Sequence, residues 1–316
     1  MQGKYQKPSS TGRRVLVAVL IVLIVLMSIL LAALLYGSHL LGKINYSDDA
    51  YDPDQAYLED AGIDVIRDAE VINILLVGQD ARPGETQTRA DTMILCSYHK
   101  QKKEITLTSF MRDMYVEIPG HSSHKMNSAH AWGGMKLVEH TLAVNFGIVV
   151  DGTFSVDFAS FEKVIDEIGG VNIELTAAEA RYLNPDRYSE GVNHLDGADA
   201  LTYARIRSIG NSDFDRTGRQ QKVLDAIVEE SKGLGLRQLT QMAETVLPLL
   251  STNMKKSEIV KLLASVLPDA SEIRIANKQR IPADGAFYTD TISGMSVLVP
   301  DLEKNREILR STIYGQ

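Results

Sequence analysis

Residues 71–113 read VINILLVGQDARPGETQTRADTMILCSYHKQKKEITLTSFMRD, and three strands can be traced in them. The first, 71–77, is rich in branched aliphatic side chains and stops at Gly78, the profile of a largely buried strand. Segments 92–98 and 104–109 flank a polar turn at 99–103 and read as a hairpin. Antiparallel pairing sets the start of one strand beside the end of the other, so Arg89 and Asp91 are expected near Arg112 and Asp113. With the first strand parallel to the third, Asp80 and Arg82 join that edge, where open α/β sheets bind ligands.

Downstream the alternation is that of an α/β domain. A helix opens at Gly133-Gly134 and runs to about 144, and another spans 160–168, closed by Gly169-Gly170 before a strand at 171–175. Tyr203, Arg205 and Arg207 are read as one side of an extended segment, because strand side chains repeat every two residues. A helix over 216–232 has Val223, Leu224, Ile227 and Val228 as its buried stripe and Asp213 or Asp215 as its cap. Arg216, Arg219 and Gln220 share its amino-terminal end, where backbone donors favour an anion. Helices at 236–250 and 257–267, a strand at 272–276 and a strand-helix unit at 297–313 complete the reading.

Residues 15–36 form an uncharged apolar run, long enough at about 1.5 Å rise per residue to span a hydrocarbon core. It is longer than a signal-peptide core and reads as an uncleaved transmembrane anchor. Lys4, Lys7, Arg13 and Arg14 precede it and an acidic stretch follows Lys43, so the positive-inside rule places residues 1–14 in the cytoplasm and the rest of the single-pass chain outside the cell. Residues 37–70 then read as an acidic stalk and 71–316 as the functional domain. Removing the four basic residues ahead of the run from the formal net charge of −8 leaves −12, a poor match for nucleic acid. The single cysteine, Cys96, forms no internal disulfide, so a core must hold the domain.

Arginines clustered in an acidic chain imply a local anion pocket. The guanidinium fork matches phosphate oxygens bidentately, and interleaved carboxylates suit a hard divalent cation. Arg82, Arg216 and Asp215 read equally as solvated ion pairs. His121, His124 and His130 read as loop or helix-face residues, and Trp132 as a packed aromatic beside Gly133-Gly134 more readily than as a lining for lipid or sugar. No nucleophile elbow, C-x-x-C pair, H-E-x-x-H motif or P-loop occurs.

Taken in order, NILLVGQDAR (73–82), RADTMIL (89–95), SFMRDMYV (109–116), KMNSAHAWGG (125–134), YARIR (203–207), DFDRTGRQQ (213–221) and GMSVLVPDLEKNREIL (294–309) resemble the LytR-CpsA-Psr family. The resemblance implies a three-layer α-β-α sandwich with a mixed central sheet. It also implies an enzyme dependent on magnesium, or manganese in its place, that moves a glycopolymer from polyprenyl pyrophosphate to peptidoglycan. Carried onto this sequence, it gives Asp80 and Asp91 as metal ligands and Arg89, Arg112, Arg205 and Arg207 as the catalytic pyrophosphate grip. Arg219 and Gln220 would serve the same region, Asp113 would orient Arg112, and Arg82 and Arg216 would support. Gln79 stands where serine is frequent in the family and Met111 where proline is frequent. Phosphoryl transfer asks for positioning and charge neutralisation and needs no protein nucleophile. Asp91 is the candidate to take the acceptor's proton. Hydrolysis of the pyrophosphate and non-catalytic capture of the lipid by a regulatory protein are the alternatives.

Overall fold

A computed structural model describes residues 36–47, 65–79, 88–210, 212–232 and 235–315. The chain divides into one unit ending at Lys43 and a second running from Ile44 to Gln316. In the first, residues 36–41 are helical. Among the described residues no helix is long and apolar enough to cross a membrane. The apolar run at 15–36 lies outside them but for Tyr36, as do Asp80 and Arg82.

The second unit opens with β1 (Asn45–Tyr46), β2 (Val71–Gln79), β3 (Ala90–His99), β4 (Glu104–Phe110), β5 (Tyr115–Val116), β6 (His124–Lys125) and α1 (Asn127–Phe146). Then come β7 (Gly152–Asp157), α2 (Phe158–Glu167), β8 (Val171–Leu175), α3 (Ala177–Leu183), β9 (Gly191–Leu195), α4 (Gly197–Ala204) and α5 (Ser212–Lys232). The chain closes with α6 (Leu236–Val246), β10 (Ser251–Thr252), α7 (Lys256–Val266), β11 (Arg274–Ile281), β12 (Phe287–Ile292), β13 (Met295–Pro300) and α8 (Leu302–Leu309).

The central sheet has the order β1-β10-β7-β2-β3-β4-β11 and is mixed. β3 is antiparallel to both β2 and β4, so those two run in the same direction, and β7 runs parallel to β2. The ends of β2, β4 and β7 therefore meet the start of β3 at one edge. In β2 buried and half-buried residues alternate, which narrows the expectation of a largely buried strand to one fully covered face. On that face Leu75, Val77, Met93 and Leu95 pack with Val138, Leu142 and Phe146 of α1 and Leu309 of α8. The opposite face meets α5, whose buried Gln221 donates to Ser109 Oγ at 2.9 Å and to the Gln279 carbonyl at 2.7 Å. A second core joins α2, α4 and α5 to the β8–β9 hairpin through Ile165, Val171, Leu195, Tyr203, Ile206 and Val223.

The structure corrects several local expectations. Tyr203 is not in an extended segment: it is the fully buried penultimate residue of α4, a helix capped by Asp196, whose side chain accepts from Asp199 N–H. Arg205 is that helix's αR C-cap, so the two-residue alternation of YARIR carries no strand. α1 begins six residues before Gly133-Gly134, and the pair interrupts the helix without opening it, with Gly134 at φ 63° and ψ −155°. α5 starts at Ser212, which puts Asp213 and Asp215 inside its first turn. Within the stretch read as a stalk, β1 pairs with β10 and Ile66 is buried against the bridge to Ile148. Of the predicted stripe on α5, only Val223 is fully buried; Leu224, Ile227 and Val228 are half-buried.

Candidate functional site

The register of β2 and β3 slips at the sheet edge: Gly78 pairs with Thr92 and Gln79 with Ala90, which leaves Asp91 as an extra residue. Such a bulge takes a side chain out of the regular alternation of the strand. Gln79, which stands where serine is frequent in the family the sequence resembles, accepts from Thr88 Oγ at 2.8 Å and pins the chain entering the bulge. Arg112 lies in the turn after β4, where the amide of Met114 donates to the Met111 carbonyl. Its Nη1 donates to Asp91 Oδ1 at 2.8 Å and its Nε to Asp113 Oδ2 at 3.3 Å. Lys125 Nζ donates to the other Asp113 oxygen at 2.6 Å. From α5, Asp213 stands 4.0 Å from Arg112 Nη2, 3.6 Å from Arg207 Nε and 3.0 Å from Arg216 Nη1. Four cations and three carboxylates thus interleave at one edge.

Neighbouring charge favours the ionised forms of Asp113 and Arg112. Burial alone would raise the Asp113 carboxyl, but the Lys125 hydrogen bond and the Arg112 charge outweigh it and hold the group below its ordinary value. Burial likewise works against Arg112, and the hydrogen bond to Asp91 with the charges of Asp113, Asp91 and Asp213 holds it above its ordinary value. Arg216 is the exception. It is 4% exposed, and burial, reinforced by the like charges of Arg112 and Arg207, lowers it to about 10 despite Asp213. Among the described residues its Nε and Nη1, and Asp213 Oδ1, are buried without a hydrogen-bond partner; the 3.0 Å contact between Nη1 and Oδ1 is ionic but poorly angled. A buried guanidinium with unsatisfied donors suits the oxygens of a phosphate.

The structure redistributes the expected roles. Asp91, Arg112, Asp113, Arg207 and Arg216 come together. Arg205 is exposed and lies with its guanidinium 4.2 Å from the ring centre of Phe158, the first residue of α2 after β7, and so reaches the same sheet edge from another side. Arg89 is exposed just ahead of the bulge. Arg219 is turned inward: its Nε donates to Glu179 Oε1 at 2.7 Å and its Nη groups to the carbonyls of Ile206 at 3.1 Å and Ile209 at 3.0 Å. Gln220 is half-buried, whereas the tied glutamine is Gln221. Asp80 and Arg82 lie outside the described residues. Sequence reasoning missed Lys125, which no periodicity marks, and gave Asp213 no specific partner beyond a place among the interleaved carboxylates and a possible cap, although its i,i+3 spacing to Arg216 was a signal.

Among the described residues no three or more His, Cys, Asp or Glu side chains gather to hold a metal. The donor set fits a hard divalent cation in one mode, in which one or two carboxylates share it with phosphate oxygens and water.

The LytR_cpsA_psr family model matches residues 40–312. The chain belongs to this family. It is 32% identical over 229 residues to the polyisoprenyl-teichoic acid–peptidoglycan teichoic acid transferase TagT of Bacillus subtilis (strain 168), covering 68% of this chain and 70% of that one. It is 38% identical over 161 residues to the regulatory protein MsrR of Staphylococcus aureus (strain Mu50 / ATCC 700699), covering 50% of this chain and 49% of MsrR. A structure of TagT bound to LIIa-WTA superposes with a TM-score of 0.63 at 26% identity, covering 78% of this chain and 92% of that chain. TagT with bound octaprenyl pyrophosphate lipid shares the fold with a TM-score of 0.61 at 22% identity over 86% of this chain and 99% of that chain.

Two outcomes follow from the inward and the orphaned arginine. Arg219→Met leaves the buried Glu179 charge without its ion-pair partner and should cost about 3–5 kcal/mol in urea unfolding, part of it recovered by adding Glu179→Gln, which keeps an acceptor for the Thr176 amide. An unchanged urea midpoint for the single variant would return Arg219 to the role of a free anion ligand. Folding disfavours the protonated form of Arg216, a penalty present at neutral pH and relieved only as pH rises through about 10. Arg216→Met should therefore melt no lower than the parent at pH 7 and should lose the rise in Tm that inorganic pyrophosphate gives the parent in calorimetry. A lower Tm with the pyrophosphate response intact would contradict this.

Proposed function

We propose that the protein is a membrane-anchored phosphotransferase that moves a glycopolymer from polyprenyl pyrophosphate to peptidoglycan. One observation carries the reading: Arg112, Arg207 and the unsatisfied, buried Arg216 converge beside Asp91 at a single sheet edge. Family membership and the activity named for TagT support it.

In this mechanism the arginines bind the pyrophosphate diester and hold its phosphorus against the acceptor. A peptidoglycan sugar hydroxyl attacks the phosphorus bearing the glycopolymer. The new P–O bond forms as the bond to the bridging oxygen breaks, and polyprenyl phosphate leaves with its added charge held by the guanidinium groups. Asp91, oriented through the Arg112 hydrogen bond, receives the hydroxyl proton. Arg112 is itself steadied by Asp113, which Lys125 holds from the far side. Magnesium, held by Asp91 with Asp80, would supply further neutralisation of the phosphate charge.

The deciding experiment incubates the detergent-solubilised full chain with magnesium, a lipid-pyrophosphate-linked sugar and a peptidoglycan oligomer, and seeks the coupled product by mass spectrometry. Coupled product and polyprenyl phosphate are expected, with Asp91→Asn reducing the rate about 10²–10⁴-fold and leaving the unfolding curve in place. Sugar phosphate released without coupling would make the protein a hydrolase, and an intact donor would leave a binding protein.

The same reading requires the site to face outward, with residues 1–14 in the cytoplasm, since the acceptor is wall polymer. Protease added to intact protoplasts should degrade the domain carrying Arg112 and Arg207 and spare a tag at Met1. The reverse pattern would overturn both topology and wall chemistry.

A further inference from the structure

Trp132 is the chain's single tryptophan, and it is 42% exposed, against the expectation of a packed aromatic. Two imidazoles stand against its ring, with centroids 4.9 Å away for His121 and 5.0 Å for His124, at interplanar angles of 32° and 56°. Both neighbours are tilted and neither covers it, so they fix the indole while leaving much of its surface to solvent. His124 is in turn held at Nδ1 by the buried Ser128 hydroxyl, 2.7 Å away. The helical path breaks immediately beyond the indole at Gly133 and Gly134. The break is built in, because a Cβ at Gly133 would stand 2.6 Å from that of Leu137.

Three contacts tie this platform to the arginine cluster. The amide of Asn127 donates to the Arg112 carbonyl at 3.1 Å. Lys125, next in the chain to His124, holds Asp113. His130 Nδ1 lies 2.7 Å from the carbonyl of Thr88, the residue before Arg89. A rigid indole with an electron-rich face, rimmed by groups able to donate and accept hydrogen bonds, matches the C–H face and hydroxyl rim of a sugar ring. An aromatic needed only to close a loop would instead bury its surface.

We propose that Trp132, flanked by His121 and His124, is a carbohydrate-stacking subsite that seats a sugar ring beside the arginine cluster. The choice of sugar as ligand rests on the transferase reading, and the ring belongs either to the donor glycopolymer or to the acceptor glycan.

With one tryptophan in the chain, its emission reports binding without any turnover. The detergent-solubilised full chain is titrated separately with a peptidoglycan glycan oligomer, a soluble glycopolymer fragment and inorganic pyrophosphate. The emission should shift with one of the two sugars, which identifies the source, and stay unchanged with pyrophosphate. Trp132→Ala should raise KM for the same sugar substrate roughly three- to tenfold with kcat little altered, and Trp132→Phe should recover most of the loss. Flat emission with both sugars, a response to pyrophosphate alone, or an unchanged KM for both substrates in Trp132→Ala would overturn the subsite. A sugar-dependent shift in a protein that makes no coupled product would keep the subsite and remove the transferase reading. Normal coupling with an indifferent Trp132→Ala would do the opposite.

Discussion

The buried ion pair between Arg219 and Glu179 is the contact on which the placement of the site depends. Both partners are about 5% exposed, so each is tolerable only because the other is there. Glu179 also closes the capping box of α3, accepting from the Thr176 amide and hydroxyl. Burial alone would raise its pKa, but these bonds and Arg219 hold it below its ordinary value. One guanidinium thus joins α5 to the start of α3 while its other nitrogens hold the carbonyls of Ile206 and Ile209, on either side of Arg207. The backbone that presents Arg207 is fixed by a residue that does not face the cluster. One turn earlier on α5, Arg216 lacks such partners among the described residues for two of its nitrogens. The same residue type therefore serves scaffold and site three positions apart.

The sheet edge supplies the other half of the arrangement. A regular strand would have sent Asp91 to one face of the sheet; the bulge detaches it from the ladder and lets Arg112 take it from the neighbouring strand end. Arg112 is then held on two sides, by Asp91 and by Asp113, and Lys125 completes the relay. Side chains locked by mutual charge before substrate arrives need little reorganisation when charge develops, and this is where electrostatic catalysis gains most. The half-buried setting, with Arg112 at 18% and Asp91 and Asp113 at 20% side-chain exposure, keeps the interactions stronger than they would be in open water.

The parts of this design that were legible in the sequence are those encoded locally. The β3–β4 hairpin followed from one short polar turn between apolar runs, and it brought Arg89, Asp91, Arg112 and Asp113 to one edge. The Gly169-Gly170 stop was readable because both glycines need positive φ, 92° and 91°. YARIR was misread because alternation over five residues is compatible with a helix end when the intervening residue is itself buried, as Ile206 is. The helix start at Asp196, with Asp199 beside it, was the missed local signal. The role of Arg219 was not readable at all, since its partner is 40 residues away and arginine is favoured both for buried pairs and for phosphate. β1 and β10, two residues each, are strands only because the sheet offers them an edge.

Charge balance gives a reason for the surplus of cations. Arg89, Arg112, Lys125, Arg205, Arg207 and Arg216 stand at this edge among Asp91, Asp113, Asp157 and Asp213, so cations outnumber carboxylates there among the described residues. A pyrophosphate diester brings two negative charges. When its bridging bond breaks, the products are a phosphodiester and a phosphomonoester whose charges together approach three, the monoester alone bearing about −1.5 to −2 at neutral pH. On the proposed mechanism, an edge where cations predominate meets the charge that appears on the leaving phosphate as the bond breaks. That is the sense of complementarity that lowers a barrier, where equal attraction to both states would not. The donors of Arg216 left unsatisfied among the described residues fit the same proposal: a buried cation that folding disfavours is a local cost, kept at the edge where the proposed substrate would bring its partner.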